Sequence, residues 1–202
     1  PNQVVVTKAS GINSLTDLAG KRFASGAPGS TTEVETNIHL NTAGLRYPEG
    51  LRVQYVGFTE AIDLMRNKQL DGAWIMAGIP NAAVTEMLST AGGKLLELDD
   101  DLIAALQKEY PWYGAYTIPA GTYPTQEQDV QTSAIKITIF TDARVDDEVI
   151  YQLTKTFWEN FDELKKTQAP LANVVKEETT KDLAGLPIHD GAARYYKEIG
   201  LL

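Results

Sequence analysis

The chain has 202 residues, 43% of them hydrophobic and 22% charged, which suits one large domain or two small lobes and argues against disorder over most of its length. Eighteen Lys and Arg against 27 Asp and Glu leave a formal net charge of -9, and with no basic stripe to offset it nucleic acid is excluded as a partner. The absence of cysteine excludes a disulfide framework, cysteine zinc sites and thiol nucleophiles, and no apolar run reaches the length of a bilayer span.

The first residues, Pro1-Asn2-Gln3, show no signal-peptide pattern, so the expectation is either a cytosolic protein or a processed or trimmed piece. Val4 to Val6 then reads as a buried strand. Ser14 to Lys21 reads as one capped helical turn, with Ser14 as N-cap and Gly20 as the stop. Arg22 to Ser25 is a second short strand, Gly26-Ala27-Pro28-Gly29-Ser30 a glycine-rich turn, and Thr31 to Thr42 a helix with Glu33 and Glu35 in its first turns. Leu51 to Gly57 is a strand, followed by a helix capped by Thr59 and running to Lys68. Ala73 to Ala77 is a strand, Gly78-Ile79-Pro80-Asn81 a turn, and Ala82 to Thr90 a helix that Gly92-Gly93 stops. Lys94 to Leu98 is a strand and Asp100 to Tyr110 a helix. This alternation of strand, turn and helix is the signature of an α/β sheet. Ala115 to Pro119 and Val130 to Phe140 read as longer strands. The C-terminal part is helical, over Asp146 to Lys166 with a stripe at Val149, Ile150, Leu153, Phe157, Phe161 and Leu164, then over Ala172 to Leu183, then over Asp190 to Ile199.

Two turns are candidates for chemistry. Gly26 to Thr32 joins a strand to a helix, so backbone N–H groups, the helix dipole and the hydroxyls of Ser30, Thr31 and Thr32 converge on one spot suited to an anion. It lacks the lysine of a phosphate-binding P-loop, and on local residues alone Ser30 or Thr31 reads as a plain N-cap. Gly78-Ile79-Pro80-Asn81 also joins strand to helix, and in a parallel sheet both turns lie at strand carboxyl ends, where α/β proteins hold ligands; taken singly, Pro80 at a helix start explains it. The aromatic patch Tyr110, Trp112, Tyr113, Tyr116 and Tyr123 reads mainly as packing. His39 sits on a helix stripe, surface or core, and His189 packs before Asp190, which caps the last helix. Neither histidine has metal-ligand spacing, Asp99-Asp100-Asp101 suits a helix start better than calcium, and no serine nucleophile motif occurs. No catalytic residue, metal site or cofactor is expected.

Gly26-Ala27-Pro28-Gly29-Ser30-Thr31-Thr32-Glu33 and Asp71-Gly72-Ala73 leading to Ala77-Gly78-Ile79-Pro80 resemble the TAXI family of solute receptors of TRAP transporters, as do Ile118 to Tyr123, Asp129 to Thr132, Leu153-Thr154-Lys155 and Pro187 to Tyr196, in the family's order along the chain. The resemblance implies an α/β periplasmic-binding-protein fold of type II, two lobes with a hinge, and a protein that captures a small carboxylate or amino acid such as glutamate for the membrane subunits of a TRAP transporter, in the periplasm or another extracytoplasmic space, without catalysis. It implies that Gly29, Ser30, Thr31 and Thr32 hold the ligand's carboxylate, with Gly78, Ile79 and Pro80 closing the same lobe's share of the site. The family's N-terminal segment has no counterpart here, so the first lobe is expected to be incomplete. Residues 22–128 would form the complete second lobe, and residues 1–21 and 129–202 the hinge strands and the helical part of the first. The stripe on 146–166 would then be partly exposed and favour a dimer. The effector-binding domain of a LysR-type regulator, which has the same architecture, is the alternative; hydroxymethylbilane synthase is set aside because its cofactor hangs on a cysteine.

Overall fold

The computed structural model of the protein describes residues 1–202 other than 169, 170, 173, 182 and 184. The chain divides into two compact units, residues 1–135 and 136–202.

The first unit is built on a five-stranded sheet in the order β3-β2-β4-β1-β5, with β1 Asn2–Thr7, β2 Arg22–Ala24, β3 Arg52–Gln54, β4 Gly72–Met76 and β5 Gly93–Leu96. Strands β2, β3 and β4 are parallel, and β1 runs antiparallel to both β4 and β5 between them. Helices α1 Thr31–Thr42, α2 Phe58–Arg66, α3 Ala82–Thr90 and α4 Asp100–Glu109 cover the sheet, and β6 Tyr113–Ile118 pairs with β7 Val130–Ile135 as an antiparallel ribbon.

The central strands have no polar face because both faces are covered. Val4, Val6, Phe23, Trp74 and Leu96 bury themselves against Leu40 of α1 and Leu102 and Leu106 of α4. Val5, Ala24, Ala73 and Ile75, one step out of phase along the same strands, bury themselves against Ala61, Ile62 and Met65 of α2 and Val84, Met87 and Leu88 of α3. The two-residue period of the strand sorts the side chains into these cores. Residues 2–7, assigned from the sequence to the hinge, run within this sheet.

Several expected elements change in extent. The strand over 51–57 contracts to β3. The helix that follows begins at Phe58 with Gly57 as N-cap, and Thr59 lies inside it rather than capping it. The strand expected to run to Phe140 stops at Ile135, where the ladder to β6 ends at Tyr113.

The second unit contains α5 Asp147–Glu159, α6 Phe161–Thr167 and α7 Asp190–Glu198. The helix expected over 146–166 breaks at Asn160, whose backbone leaves the helical region (φ −103°, ψ 9°). The buried face of α5 is also rotated from the expected stripe. Tyr151 and Trp158 join Phe161 and Tyr195 in a core, while Val149 and Leu153 face solvent. Gly191 allows the start of α7 to lie on α5, since a Cβ there would collide with the Asp147 carbonyl oxygen. The Arg194 guanidinium stacks 3.6 Å from the centre of the Tyr151 ring and reaches Glu148 Oε2 at 2.6 Å. Between 172 and 183 the described residues hold a 3-10 turn at Lys176–Glu178 in place of the expected helix; positions 173 and 182 lie outside the described residues. His189, not Asp190, caps α7, accepting the Gly191 amide on Nδ1 at 3.2 Å while Nε2 donates to the Val145 carbonyl.

A buried polar knot ties the first unit together at the start of β1. Asn2 Nδ2 donates to Glu35 Oε2 at 2.8 Å and to Ser133 Oγ at 3.0 Å, and Asn2 Oδ1 accepts the Trp74 indole N–H at 2.8 Å. The Thr132 hydroxyl donates to the Asn2 carbonyl at 2.6 Å. One side chain thereby connects β1 to α1, β4 and β7. His39 Nδ1 lies 2.7 Å from the Glu35 carbonyl oxygen, which can only accept, so Nδ1 carries the ring proton and Nε2 accepts from the Ser133 hydroxyl at 2.6 Å. Tyr113 donates to Glu35 Oε1 at 3.0 Å. Burial holds the His39 pKa down at about 4 and pushes the Glu35 carboxyl above its ordinary range, against the lowering effect of its hydrogen bonds from Asn2 and Tyr113. The 3.7 Å approach of Glu35 Oε2 to His39 Nδ1 is therefore proximity inside a hydrogen-bonded network, not an ion pair.

Two predictions follow from the knot. Replacing Asn2 by alanine strands the Trp74 N–H and Glu35 Oε2 in the interior, while Ser133 keeps His39 and Glu35 Oε1 keeps Tyr113. At about 1–3 kcal/mol for each orphaned atom the loss of stability reaches at least about 2 kcal/mol; urea unfolding of Asn2→Ala measures it, and a loss under about 1 kcal/mol would refute the knot's importance. His39 has a folded pKa of about 4 against an ordinary 6.5, so the unfolded chain takes up a proton first as the pH falls. The contribution of His39 is complete above pH 6.5 and is lost between 6.5 and 4, amounting at most to about 3 kcal/mol. The raised Glu35 carboxyl acts in the opposite sense, its contribution being complete below its ordinary value near 4.5 and lost as the pH rises through its raised one. Comparing the pH dependence of unfolding in wild type and His39→Gln isolates the histidine share, and an identical slope in both would refute it.

Candidate functional site

Strand β2 ends in the Gly26–Ser30 turn and leads into α1; β4 ends in the Ala77–Asn81 turn and leads into α3. The two strands are parallel neighbours, and strands in a sheet lie roughly 4.8 Å apart, so the two turns leave the same edge of the sheet side by side. The expected residues Gly29, Ser30, Thr31 and Thr32 are thus brought to the same edge as Gly78, Ile79 and Pro80. Their exposure differs. Gly29, Thr31 and Pro80 are exposed, Ser30 and Gly78 half-buried, and Thr32 and Ile79 buried.

Ser30 adopts extended backbone angles (φ −76°, ψ 156°), and its Oγ accepts the Glu33 amide at 3.2 Å. It is the N-cap of α1, as the plainer reading of the sequence has it, but capping uses a lone pair of Oγ and leaves its O–H able to donate. Thr31 and Thr32 are the first two helical residues, and their amides have no acceptor within the helix. The positive end of a 12-residue helix and these donors lie together where β2 leads into α1. Gly26 makes the close turn possible. Its φ is +101°, and a Cβ would lie 2.8 Å from Thr32 Cβ and 2.9 Å from both the Glu33 amide and Ser30 Oγ.

Further groups shape this edge in roles that were not read from the sequence. Ser25, fully buried, leads into the turn; its hydroxyl makes no close hydrogen bond among the described residues, although it lies near enough to the Tyr47 phenol to act on that group's pKa, and a buried hydroxyl so weakly bonded is a place where a ligand or water can complete the bonding. Glu33 folds back toward the turn, its Oε2 accepting the Gly29 amide at 3.3 Å and its Oε1 the Tyr47 hydroxyl at 3.4 Å, so a carboxylate stands beside the helix N-terminus. Burial pushes the Tyr47 phenol well above its ordinary pKa, and it remains a donor. Tyr123, in the aromatic patch read as packing, is buried, and its hydroxyl accepts the Asn81 amide at 2.9 Å while donating to Gln3 Oε1. Burial pushes its pKa up to about 12, so it stays protonated. Asn81 caps α3 through Oδ1, which accepts the Ala83 amide at 2.9 Å. A spacing rule could have flagged Ser25, next to the glycine turn; Tyr123 lies 42 residues from the turn it supports, and no local pattern connects them.

One groove on the first unit, of about 340 Å³, starts at Glu33 beside this edge and is bounded further on by Asn37, Glu109 and Tyr110; another, of about 410 Å³, lies beside Glu97, Asp99 and Asp101. Asp99 serves as N-cap of α4, accepting the Leu102 amide at 2.8 Å, as the helix-start reading of this acidic run requires.

The geometry of Gly26 yields a prediction. Gly26→Ala places a methyl group against the first turn of α1 in a backbone region that alanine adopts at a cost of about 1–2 kcal/mol before any clash is counted. The expected outcome is a loss of at least about 2 kcal/mol in urea unfolding with faster amide exchange at Thr31–Glu33; unchanged stability and exchange would refute it.

Among solved structures the chain is similar to the periplasmic aliphatic sulphonate binding protein SsuA from Escherichia coli, at 18% identity and a TM-score of 0.51, over 97% of this chain and 54% of that one. It is also similar to the alkanesulfonate-binding protein SsuA from Xanthomonas axonopodis pv. citri bound to MOPS, at 16% identity and a TM-score of 0.48, over 97% of this chain and 54% of that one. The chain thus spans about half the length of these proteins, and the first likeness establishes the expected α/β fold of periplasmic binding proteins. Residues 1–200 match the NMT1-like family, and the chain belongs to it.

Proposed function

We propose that this chain is part of an extracytoplasmic solute-binding protein that captures a small organic anion, a glutamate-like amino acid or another carboxylate, and turns nothing over. The observation that carries the reading is the conjunction at one sheet edge of the α1 N-terminus, with the Thr31 and Thr32 amides free of helical acceptors, and the buried Ser25 hydroxyl, which makes no close hydrogen bond and has only the Tyr47 phenol near it. On a chain of net charge −9, an anion must be held by local dipoles rather than by the overall field, and amides at a helix end supply that. Gly29 to Thr32 would hold the carboxylate, and Gly78, Ile79 and Pro80 would border it from the neighbouring strand. Glu33, beside the same turn, provides a counter-charge for an ammonium, which favours an amino acid over a simple acid.

The fold supports a binding role, since the E. coli protein to which it is similar is a periplasmic binding protein. The ordered TAXI-like motifs support delivery to the membrane subunits of a TRAP transporter, in the periplasm or another extracytoplasmic space. In the second unit, Val149 and Leu153 on α5 are 55% and 56% exposed. A second copy of the chain would cover them, and sedimentation of the wild type against Leu153→Lys, with loss of a dimer in the variant, tests that point.

Thermal unfolding against L-glutamate, glutarate and succinate tests the site. A ligand at a hundredfold over its Kd adds about 2.7 kcal/mol to the folded state. Thr31→Pro removes one donor from the helix end at a position where proline is well tolerated, and Ser30→Ala removes the hydroxyl. The expected outcome is a raised midpoint for the wild type, larger with L-glutamate than with glutarate, and reduced by more than half in Thr31→Pro. A shift that persists undiminished in Thr31→Pro would place the ligand elsewhere.

A further inference from the structure

Strand β1 begins at the sheet edge where β2 and β4 end, because it runs antiparallel to β4 with Asn2 opposite Met76. Asn2 and Gln3 are successive residues, so their side chains leave opposite faces of the sheet. Asn2 goes to the face of α1, donating to Glu35 Oε2 at 2.8 Å. Gln3 goes to the face of α3. Its Nε2 donates to the Ala77 carbonyl at 3.1 Å, and its Oε1 accepts from the Tyr123 hydroxyl, which in turn accepts the amide of Asn81. Ala77 and Asn81 are the two ends of the Gly78–Pro80 turn. Asn2, Gln3 and Tyr123 are 0%, 1% and 2% exposed, so they act on that edge only through the residues they hold.

We infer that Asn2 and Gln3, with Tyr123, are positioning residues for the anion site proposed above. Two consecutive side chains of one strand set the α1 N-terminus and the β4–α3 turn at a fixed separation. Glu35 lies four residues after Thr31, about 6 Å along a stiff helix, so holding Glu35 holds the Thr31 and Thr32 amides. On the other face, the Gln3–Tyr123 pair satisfies one backbone group at each end of the turn, and a buried pair with every polar atom matched resists displacement more than either bond alone. A ligand that touches both turns needs both braces.

The inference rests on the anion-site reading, and the test separates the two. Tyr123→Phe removes one hydroxyl and keeps the ring in the core; Gln3→Met, of similar length, serves as the second variant if that protein does not fold. Calorimetric titration with L-glutamate and with glutarate, at a temperature where circular dichroism shows each protein folded, is expected to give at least fivefold weaker binding for Tyr123→Phe. Met65→Ala, a core truncation in α2 outside the brace, is expected to bind within twofold of wild type despite its lower stability. Binding of Tyr123→Phe within twofold of wild type, or equal weakening in Met65→Ala, would overturn the inference. If neither probe binds the wild type, the anion reading fails, and amide exchange decides the brace: at least tenfold faster exchange at Asn81 in Tyr123→Phe with unchanged exchange in β4 supports it, and unchanged exchange at Asn81 overturns it.

Discussion

A polar side chain buried in a protein must find partners for its hydrogen-bonding atoms, and the first unit of this chain is organised around one place where that requirement is met. Asn2 is fully buried, and its amide joins α1, β4 and β7 through Glu35, Trp74 and Ser133. Apolar contacts in the two cores tolerate small slips of one layer over another, because dispersion attraction has little direction. Hydrogen bonds between buried groups do not, since each lost partner costs about 1–3 kcal/mol. The cores supply the bulk of the driving force for folding, and the knot at Asn2 selects the register in which β1 enters the sheet and the position at which α1 lies across it.

The same knot explains two unusual titrating groups without assigning them chemistry. His39 and Glu35 share one turn of α1 and face Tyr113, Trp74, Asn2 and Ser133. Burial disfavours the charged form of each, lowering the pKa of the histidine and raising that of the carboxyl. Perturbed groups of this kind often mark active sites. Here every polar atom of the pair is turned inward to a structural partner, and the candidate site lies at the N-terminal start of the helix, where Ser30 is half-buried and Thr31 exposed. The helix thus has an anchored middle and a working end.

Conformation at the working end is set by backbone more than by side chains. Gly26 takes a positive φ and a spacing that no Cβ would permit, which brings the strand end onto the first turn of α1. The neighbouring turn carries little side-chain chemistry of its own, and its ends are bonded to residues 3 and 123, which lie far from it in sequence. The chemistry at this edge is main-chain N–H at a helix start, set by elements that are themselves held from inside. Glu33 modifies this field by placing negative charge next to the positive helix end.

Strand and helix order in the first unit could be read directly from the sequence, because period-two apolar runs, capping residues and glycine stops are local signals. The starts of helix 31–42 and helix 82–90 were legible, and the structure shows Ser30 and Asn81 as their caps, each with an oxygen placed for the next amides. The two candidate turns were also legible, as glycine-rich junctions between strand and helix. Extents that depend on a neighbour were not. The strand from Val130 ends at Ile135 because its partner ends there, and the face of α5 that is buried follows Tyr195 and Phe161 rather than the run of aliphatic residues on the helix itself. The roles of Asn2, Gln3 and Tyr123 were also hidden, because hydrogen bonds spanning 33 to 131 residues leave no trace in local spacing. By itself the sequence determined the order of strands and helices in the first unit and the two glycine-rich junctions between strand and helix; the tertiary structure alone decided which distant side chains hold those junctions in place, since a buried polar atom is satisfied by whatever the fold brings within about 3 Å of it.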